Sequence, residues 1–263
     1  MNHTLQERYQ AGESIIHRLD PRVKVVTAAL LIVGILLTPD RAWPAYPLLW
    51  SVIGSLAAIG GLGAWRVARL GSLALPFVLA AAPLMFTTPG QPVAAIVGLT
   101  VTDAGLARFA AIAVRSWLAV QTALLLSLTT HPADLLWALR SLRMPHTLVT
   151  ILAFMYRYLF TLADEAQRLL HARAARSGAH PGRRMGGTLL WRAQVAGGMI
   201  GNLFLRSYER SERVYAAMLA RGYDGEARQT AVPPLSWRAI IPAGVPLLAV
   251  VIIQALALTV WSR

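Results

Sequence analysis

The sequence predicts an all-α integral membrane protein, with about five transmembrane helices and long amphipathic helices on the cytoplasmic side. Three observations carry this. The 263 residues are 56% hydrophobic and 14% charged, where a soluble domain carries about a quarter charged residues. Mean hydropathy is +0.52. The net charge of +13 is nearly all arginine, Lys24 being the only lysine, and positive charge of this kind collects beside spanning helices on the cytoplasmic side. Lipid, rather than nucleic acid, is the partner such a composition suits.

Cysteine is absent, which excludes disulfides, thiolate metal sites and a cysteine nucleophile. Residues 1–20 hold Glu7, Glu13 and Asp20 without an apolar core. They do not read as a cleavable signal, so the mature chain is expected to start at Met1.

A span needs about 20 apolar residues. Five stretches qualify: Val23 to Thr38, Trp43 to Gly63, Leu70 to Thr88, Phe109 to Leu128 and Ala239 to Trp261. The expected organisation is a four-span membrane domain over 1–128, a cytoplasmic domain over 129–238 and a last transmembrane helix over 239–263. Orientation follows from the basic residues. Arg8, Arg18, Arg22 and Lys24 precede the first span, Arg66 and Arg69 follow the second, and fifteen arginines lie between Arg140 and Arg238. The opposite loops offer Arg41, Arg108 and Arg263. The N-terminus is therefore expected in the cytoplasm and the C-terminus outside. Trp43, Trp237 and Trp261 fall near span ends, where interfacial aromatics belong.

At the first span, Leu19-Asp20-Pro21-Arg22-Val23-Lys24 supplies an N-cap in Asp20 and a first helical residue in Pro21, with Arg22 and Lys24 able to reach headgroups. Contact with a partner is the other reading of this turn. Arg115 lies inside the fourth span. It either faces protein, reaches the outer interface along its own stem, or marks function.

The cytoplasmic segment opens with a short amphipathic helix from His131-Pro132-Ala133-Asp134-Leu135-Leu136, which Pro145 separates from the next helix. From about Thr147 a long helix sets Tyr156, Leu159, Ala163, Ala166 and Leu170 on one face and Arg157, Asp164 and Arg168 on another. Its first half is apolar enough to lie in or on the membrane. It ends at Ala175-Arg176-Ser177-Gly178, before Pro181-Gly182. A second long helix, about Thr188 to Arg221, lines one side with Phe204, Tyr208, Tyr215 and Leu219, with Arg206, Glu209, Arg210 and Arg213 opposite. Glu209 and Arg213 form an i, i+4 pair. This helix ends at Ala220-Arg221-Gly222, with Gly222 suited to a left-handed cap and Arg221 at the negative end of the dipole.

Together these residues resemble the transmembrane T-component of energy-coupling-factor importers, especially the cobalt-type branch called CbiQ. The resemblance covers nearly the whole chain. It rests on Leu19 to Lys24, on His131 to Leu136, on Met155-Tyr156-Arg157-Tyr158 with Asp164-Glu165-Ala166, and above all on the two helix ends, the second followed by Tyr223-Asp224-Gly225. The first end departs from the commonest family form, with Ser177 in place of glycine. The resemblance implies a non-catalytic scaffold in the bacterial inner membrane that joins two cytoplasmic ATP-binding-cassette ATPases to a separate substrate-binding membrane subunit. Cobalt or nickel is the implied cargo, with a vitamin as the alternative. The two long helices become coupling helices, whose tips Ala175, Arg176, Ser177 and Ala220, Arg221, Gly222 dock on the ATPases. An arginine offers a groove five fixed donors. ATP and magnesium would be held by the ATPases and the metal cargo by the substrate-binding subunit, with no cofactor or metal in this chain.

The residues themselves offer no phosphate loop of the Gly-x-x-x-x-Gly-Lys kind. His3, His17, His131, His146, His171 and His180 show no i, i+4 pair and no acidic cluster at ligand spacing, and so read as interfacial or solvated side chains. A membrane enzyme acting on a phospholipid would need a compact acidic metal site or a positioned nucleophile, and the acids here are scattered. A self-contained secondary transporter would show an internal repeat and acids within the spans. Neither feature is present.

Overall fold

A computed structural model describes residues 12, 14–96, 99–176, 188–225 and 237–261. The chain divides into two compact units, residues 1–142 with 233–263, and residues 143–232.

The first unit begins with a short turn, α1 (Ile15–Arg18), capped by Ser14, whose hydroxyl accepts from the His17 N–H. Asp20 then caps α2 (Pro21–Leu36) by accepting the Arg22 N–H at 2.9 Å, with Pro21 in the first turn, the arrangement the sequence predicts. Lys24, Ala28, Leu31 and Ile35 form the buried stripe of α2 at helical spacing, while Val26, Leu30, Val33 and Leu36 stay exposed. A helix with one apolar stripe in protein and another left open fits a lipid solvent, where backbone groups are satisfied within the helix and the outer face is greasy.

Next, α3 (Ala45–Ile59) buries Leu49, Ile53 and Ala57 against the same core. Both α2 and α3, at 16 and 15 residues, are shorter than the roughly 20 residues that a full bilayer core requires. The stretch read from sequence as a span over Leu70 to Thr88 is not one regular helix. It follows α4 (Ala64–Gly71) as α5 (Leu75–Val78) and α6 (Leu84–Thr87), interleaved with 3-10 turns at Ser72–Ala74 and Leu79–Ala81. Pro76 and Pro83 each remove an N–H donor from this stretch, so regular i to i−4 bonding cannot run through it.

A hairpin comes next, β1 (Pro92–Ile96) antiparallel to β2 (Leu99–Thr102), with Ala95 opposite Thr100, Ile96 opposite Leu99 and a bulge between Pro92 and Ala94. Val93, Ile96, Thr100, Val101 and Thr102 supply the β-branched residues that favour it. Thr102 then caps α7 (Asp103–Thr129), its hydroxyl accepting the Gly105 N–H at 3.1 Å. The helix α8 (Pro132–Ser141) packs on α2. In the second unit lie α9 (His146–Arg176) and α10 (Leu189–Ala220), and α11 (Trp237–Thr259) returns to the first.

The core joins α2, α3, α7 and α11 through Leu31, Ile35, Leu49, Ile53, Leu118 and Ile253. Among the described residues, three helices are long and apolar enough to cross a membrane: Asp103–Thr129, His146–Arg176 and Ile240–Thr259. The first and last contain spans read from the sequence. The second is the helix whose apolar first half the sequence places in or on the membrane.

The tightest approach in the core is between α2 and α11. A Cβ at Gly34 would lie 2.7 Å from the Val250 side chain. Beside it, the Gln254 amide donates to the Gly34 carbonyl and, at 2.7 Å, to the Thr38 hydroxyl. Gly34→Leu is therefore expected to separate the helices and destabilise the protein by about 1–3 kcal/mol, as overpacking does. A thermal melt in detergent checks this, and an unchanged midpoint would show that the helices do not meet at Gly34.

Candidate functional site

The second unit is built from α9 and α10. Pro145 starts α9 by accepting the Leu148 N–H at 3.1 Å, and Thr188 caps α10 by accepting the Trp191 N–H at 3.3 Å. The two helices run antiparallel. Glu165 of α9 meets Arg206 of α10 at 2.9 Å and Arg168 of its own helix at 3.6 Å. Toward the end of α9, the Arg173 guanidinium lies 5.9 Å from the Trp191 ring centre, near the start of α10. Toward the other end, Thr147, Ile151 and Phe154 line one cleft with Val214, Met218 and Tyr223.

Two clefts open between the helices. One, about 420 Å³, is mainly apolar and runs from Thr147 and Tyr223 to Leu162 and Ser207. The other, about 760 Å³, is bordered by Glu165, Arg168, Arg173, Arg176 and Arg206. The apolar face expected on α10, Phe204, Tyr208, Tyr215 and Leu219, is exposed, while on α9 Leu159 and Leu170 are exposed and Tyr156, Ala163 and Ala166 are half-buried. The pair Glu209–Arg213 forms as read, at 3.9 Å between two exposed side chains.

Ala175 and Arg176 are the last residues of α9 and are exposed, while Ser177 lies outside the described residues. At the other tip, Ala220 ends α10 and Arg221 is its C-cap. Gly222 has φ +81°. Its N–H donates to the Leu219 carbonyl at 2.9 Å, and the Tyr223 N–H donates to the Met218 carbonyl at 3.0 Å. These paired bonds around a left-handed glycine are a Schellman motif. It closes the helix so that Arg221 is held at the tip and Tyr223 is turned back toward Met218. The glycine is the residue type this φ requires.

Antiparallel pairing sets Arg176 and Arg221 at opposite ends of the second unit. A helix of 31 residues is about 46 Å long, so the two cationic tips stand roughly 40 Å apart. The sequence shows two like endings. That they point away from each other appears only once Glu165 meets Arg206 and Arg173 meets Trp191.

The sequence matches the family described as CbiQ, Cobalt transport protein, over residues 12–232. It is 31% identical over 249 residues to the energy-coupling factor transporter transmembrane protein EcfT of Bacillus selenitireducens, covering 88% of this chain and 87% of that protein. This chain belongs to the CbiQ family. The EcfT proteins of Lactococcus lactis subsp. cremoris, 27% identical over 100% of this chain and 99% of its relative, and of Listeria innocua, 29% identical over 88% and 89%, are similar in the same way. The CbiQ-family chain is thus a T-component of an energy-coupling factor transporter, a membrane-located transport subunit.

Two features of the CbiQ-family chain escape a reading by motif. Arg115 of α7 donates to Asp40, in the loop between α2 and α3, and at 3.3 Å to the Tyr46 hydroxyl. Of the readings open for this arginine, the protein-facing one is observed. Lys24 is 9% exposed and donates to backbone carbonyls rather than reaching outward. Neither partner set has a sequence signature, because Asp40 and Thr129 lie 75 and 105 positions away.

Proposed function

We propose that this chain is the scaffold of an ATP-driven importer of cobalt or nickel, joining two ATP-binding-cassette subunits to a separate substrate-binding membrane subunit. The observation that carries the reading is the pair of exposed arginine tips at opposite ends of α9 and α10. One scaffold must hold two ATPases at once, and two cationic tips separated by about a helix length leave room for one at each. Ala175, Arg176 and Ser177 form the first docking point, and Ala220, Arg221 and Gly222 the second. Each guanidinium presents donors to carboxylates or carbonyls of the partner groove. The exposed apolar residues of α9 and α10 suit the membrane surface and the substrate-binding subunit, since exposed apolar patches of this extent mark interaction sites. Membrane domain (1–128), coupling domain (129–238) and last helix (239–263) then divide anchoring from transmission.

ATP and magnesium belong to the ATPases, and the metal cargo to the substrate-binding subunit. The isolated chain is accordingly expected to hydrolyse no ATP and to bind cobalt and nickel no more tightly than a histidine-poor control. Calorimetry checks this, and stoichiometric binding would move the metal site into this chain. Uptake of radioactive cobalt(II) by the assembled complex tests the cargo; uptake of a vitamin instead would replace it.

The arginine distribution supports an N-terminus in the cytoplasm and a C-terminus on the other side of the membrane, proposed to be a bacterial inner membrane. The chain contains no cysteine, so single cysteines at Gln10, Gln91 and Ser262 can be labelled without background. Gln10 is expected to react from the cytoplasm, Gln91 and Ser262 from the other side. Cytoplasmic labelling of Ser262 would contradict the odd number of spans.

A further inference from the structure

The turn that begins α2 does more than start a helix. Lys24 donates at 3.1 Å to the His17 carbonyl and at 3.0 Å to the Thr129 carbonyl. Thr129 is the last residue of α7, where carbonyls lack helical partners and the dipole is negative. The next helix begins close by: Asp134 lies in the first turn of α8, and α8 packs on α2. Two residues before Lys24, the Arg22 guanidinium lies over the Trp137 ring of α8, 4.3 Å from its centre. The start of α2 thus grips both the end of α7 and the body of α8.

Four residues, Leu142 to Pro145, link α8 to α9. Leu142 caps α8, Arg143 takes φ +65° although it is not glycine, and Pro145 precedes α9, which begins at His146. Proline fixes its own φ, and a left-handed arginine is held only where its surroundings determine it. The boundary between the two units falls between Leu142 and Arg143.

We propose that Lys24, with Arg22 stacked on Trp137, is the joint that fastens α8 to the membrane unit, so that displacement of α9 enters that unit through α8 and α2. Lys24 and Arg22 act as positioning residues. This rests on the importer reading, because a joint matters only if the second unit is driven. A capping role alone would need neither the Trp137 contact nor a link from α2 to two other helices.

The test uses the complex of the chain with its ATPase and substrate-binding subunits in nanodiscs, and in proteoliposomes for transport. Spin labels are placed on cysteines at Ser51 of α3 and Ala133 of α8, both exposed or partly so. Wild type and Lys24→Arg, which keeps a charged donor, are expected to give one narrow distance, unchanged by ATP with vanadate. Lys24→Met is expected to broaden it, with ATP hydrolysis within about twofold of wild type and cobalt(II) uptake reduced several-fold. Trp137→Leu, which removes the stacking, and Arg22→Gln, which removes it together with the ion pair to Asp20 at 3.9 Å, are expected to do the same more weakly, and they carry the test if Lys24→Met does not assemble. A narrow distance with wild-type uptake in these variants would overturn the joint. So would a broadened distance with undiminished uptake, which would leave Lys24 a merely structural cap. A wild-type complex that moves no cobalt contradicts the proposed cargo alone, and the spin-label distances, which need no substrate, still decide the joint.

Discussion

Reversing the charge of Arg176 or Arg221 is expected to weaken ATPase association by a hundredfold or more while leaving the chain folded. Both side chains are exposed at helix ends, so neither contributes to the core. When a partner groove desolvates such a cation, losing one member of the pair costs about 2–5 kcal/mol. Arg213→Glu is the control on the same helix. Its pair with Glu209 spans 3.9 Å with both side chains about two-thirds exposed, at 69% and 66%, and such pairs contribute about 0–1 kcal/mol. Gly222→Val approaches the same loss by another route. Nothing lies within 4 Å of a Cβ at this position, so the substitution meets no clash and acts through the backbone. A β-branched residue at φ +81° disfavours the Schellman closure by about 1–2 kcal/mol and misdirects Arg221. Pull-down of the ATPases with the four variants reads all of this. Wild-type recovery with Arg176→Glu and Arg221→Glu would make the tips ordinary helix ends.

A comparably large effect on stability is expected at Arg115. Its side chain is 15% exposed and its partner Asp40 39% exposed, with Tyr46 donating onward to the Pro39 carbonyl at 3.3 Å and Arg108 3.9 Å from the same carboxylate. These groups tie the loop between α2 and α3 to the middle of α7. Arg115→Leu leaves the Asp40 carboxylate only its looser pair with Arg108 at 3.9 Å and removes a donor from Tyr46. The expected cost is on the order of 1–3 kcal/mol, below that of a fully buried pair because water reaches Asp40. Asp40→Asn is expected to cost less, since an amide still accepts from Arg115. The double variant Arg115→Leu with Asp40→Leu is expected to recover part of the loss, because the carboxylate goes together with its closest partner and Arg108, 54% exposed, is left to water. Thermal unfolding of these proteins and of the single variant Asp40→Leu in one detergent measures the coupling. Additive losses would show that Arg115 and Asp40 act independently.

The parts of the fold legible in the sequence are those set by local chemistry. Asp20-Pro21 announces a helix start, Gly222 a helix end, and the apolar run in Phe109 to Leu128 a long helix, because each depends on residues within a few positions. The hairpin at Pro92–Thr102 and the broken helix between Gly71 and Thr88 are less legible. Apolar content alone suggests a span there, while Pro76, Pro83 and a cluster of β-branched residues decide the backbone. The roles of Lys24 and Arg115 are hidden for a different reason. The sequence reads Lys24 as able to reach headgroups and leaves Arg115 open between protein, interface and function, and each is held in part by a group 75 or more positions away. At the candidate site, the residues of both tips can be read directly. Their placement at opposite ends requires the antiparallel pairing of α9 and α10, which rests on long-range contacts such as Glu165–Arg206.

The central claim is that one chain carries two ATPases, one at each tip. Native mass spectrometry of the complex, purified through a tag on this chain, tests it most directly. The expected species holds one copy of the chain, two ATP-binding-cassette subunits and one substrate-binding membrane subunit, falling to a single ATPase subunit when either Arg176 or Arg221 is reversed. A complex that keeps both ATPases with both arginines reversed, or a chain that purifies with none, would contradict it.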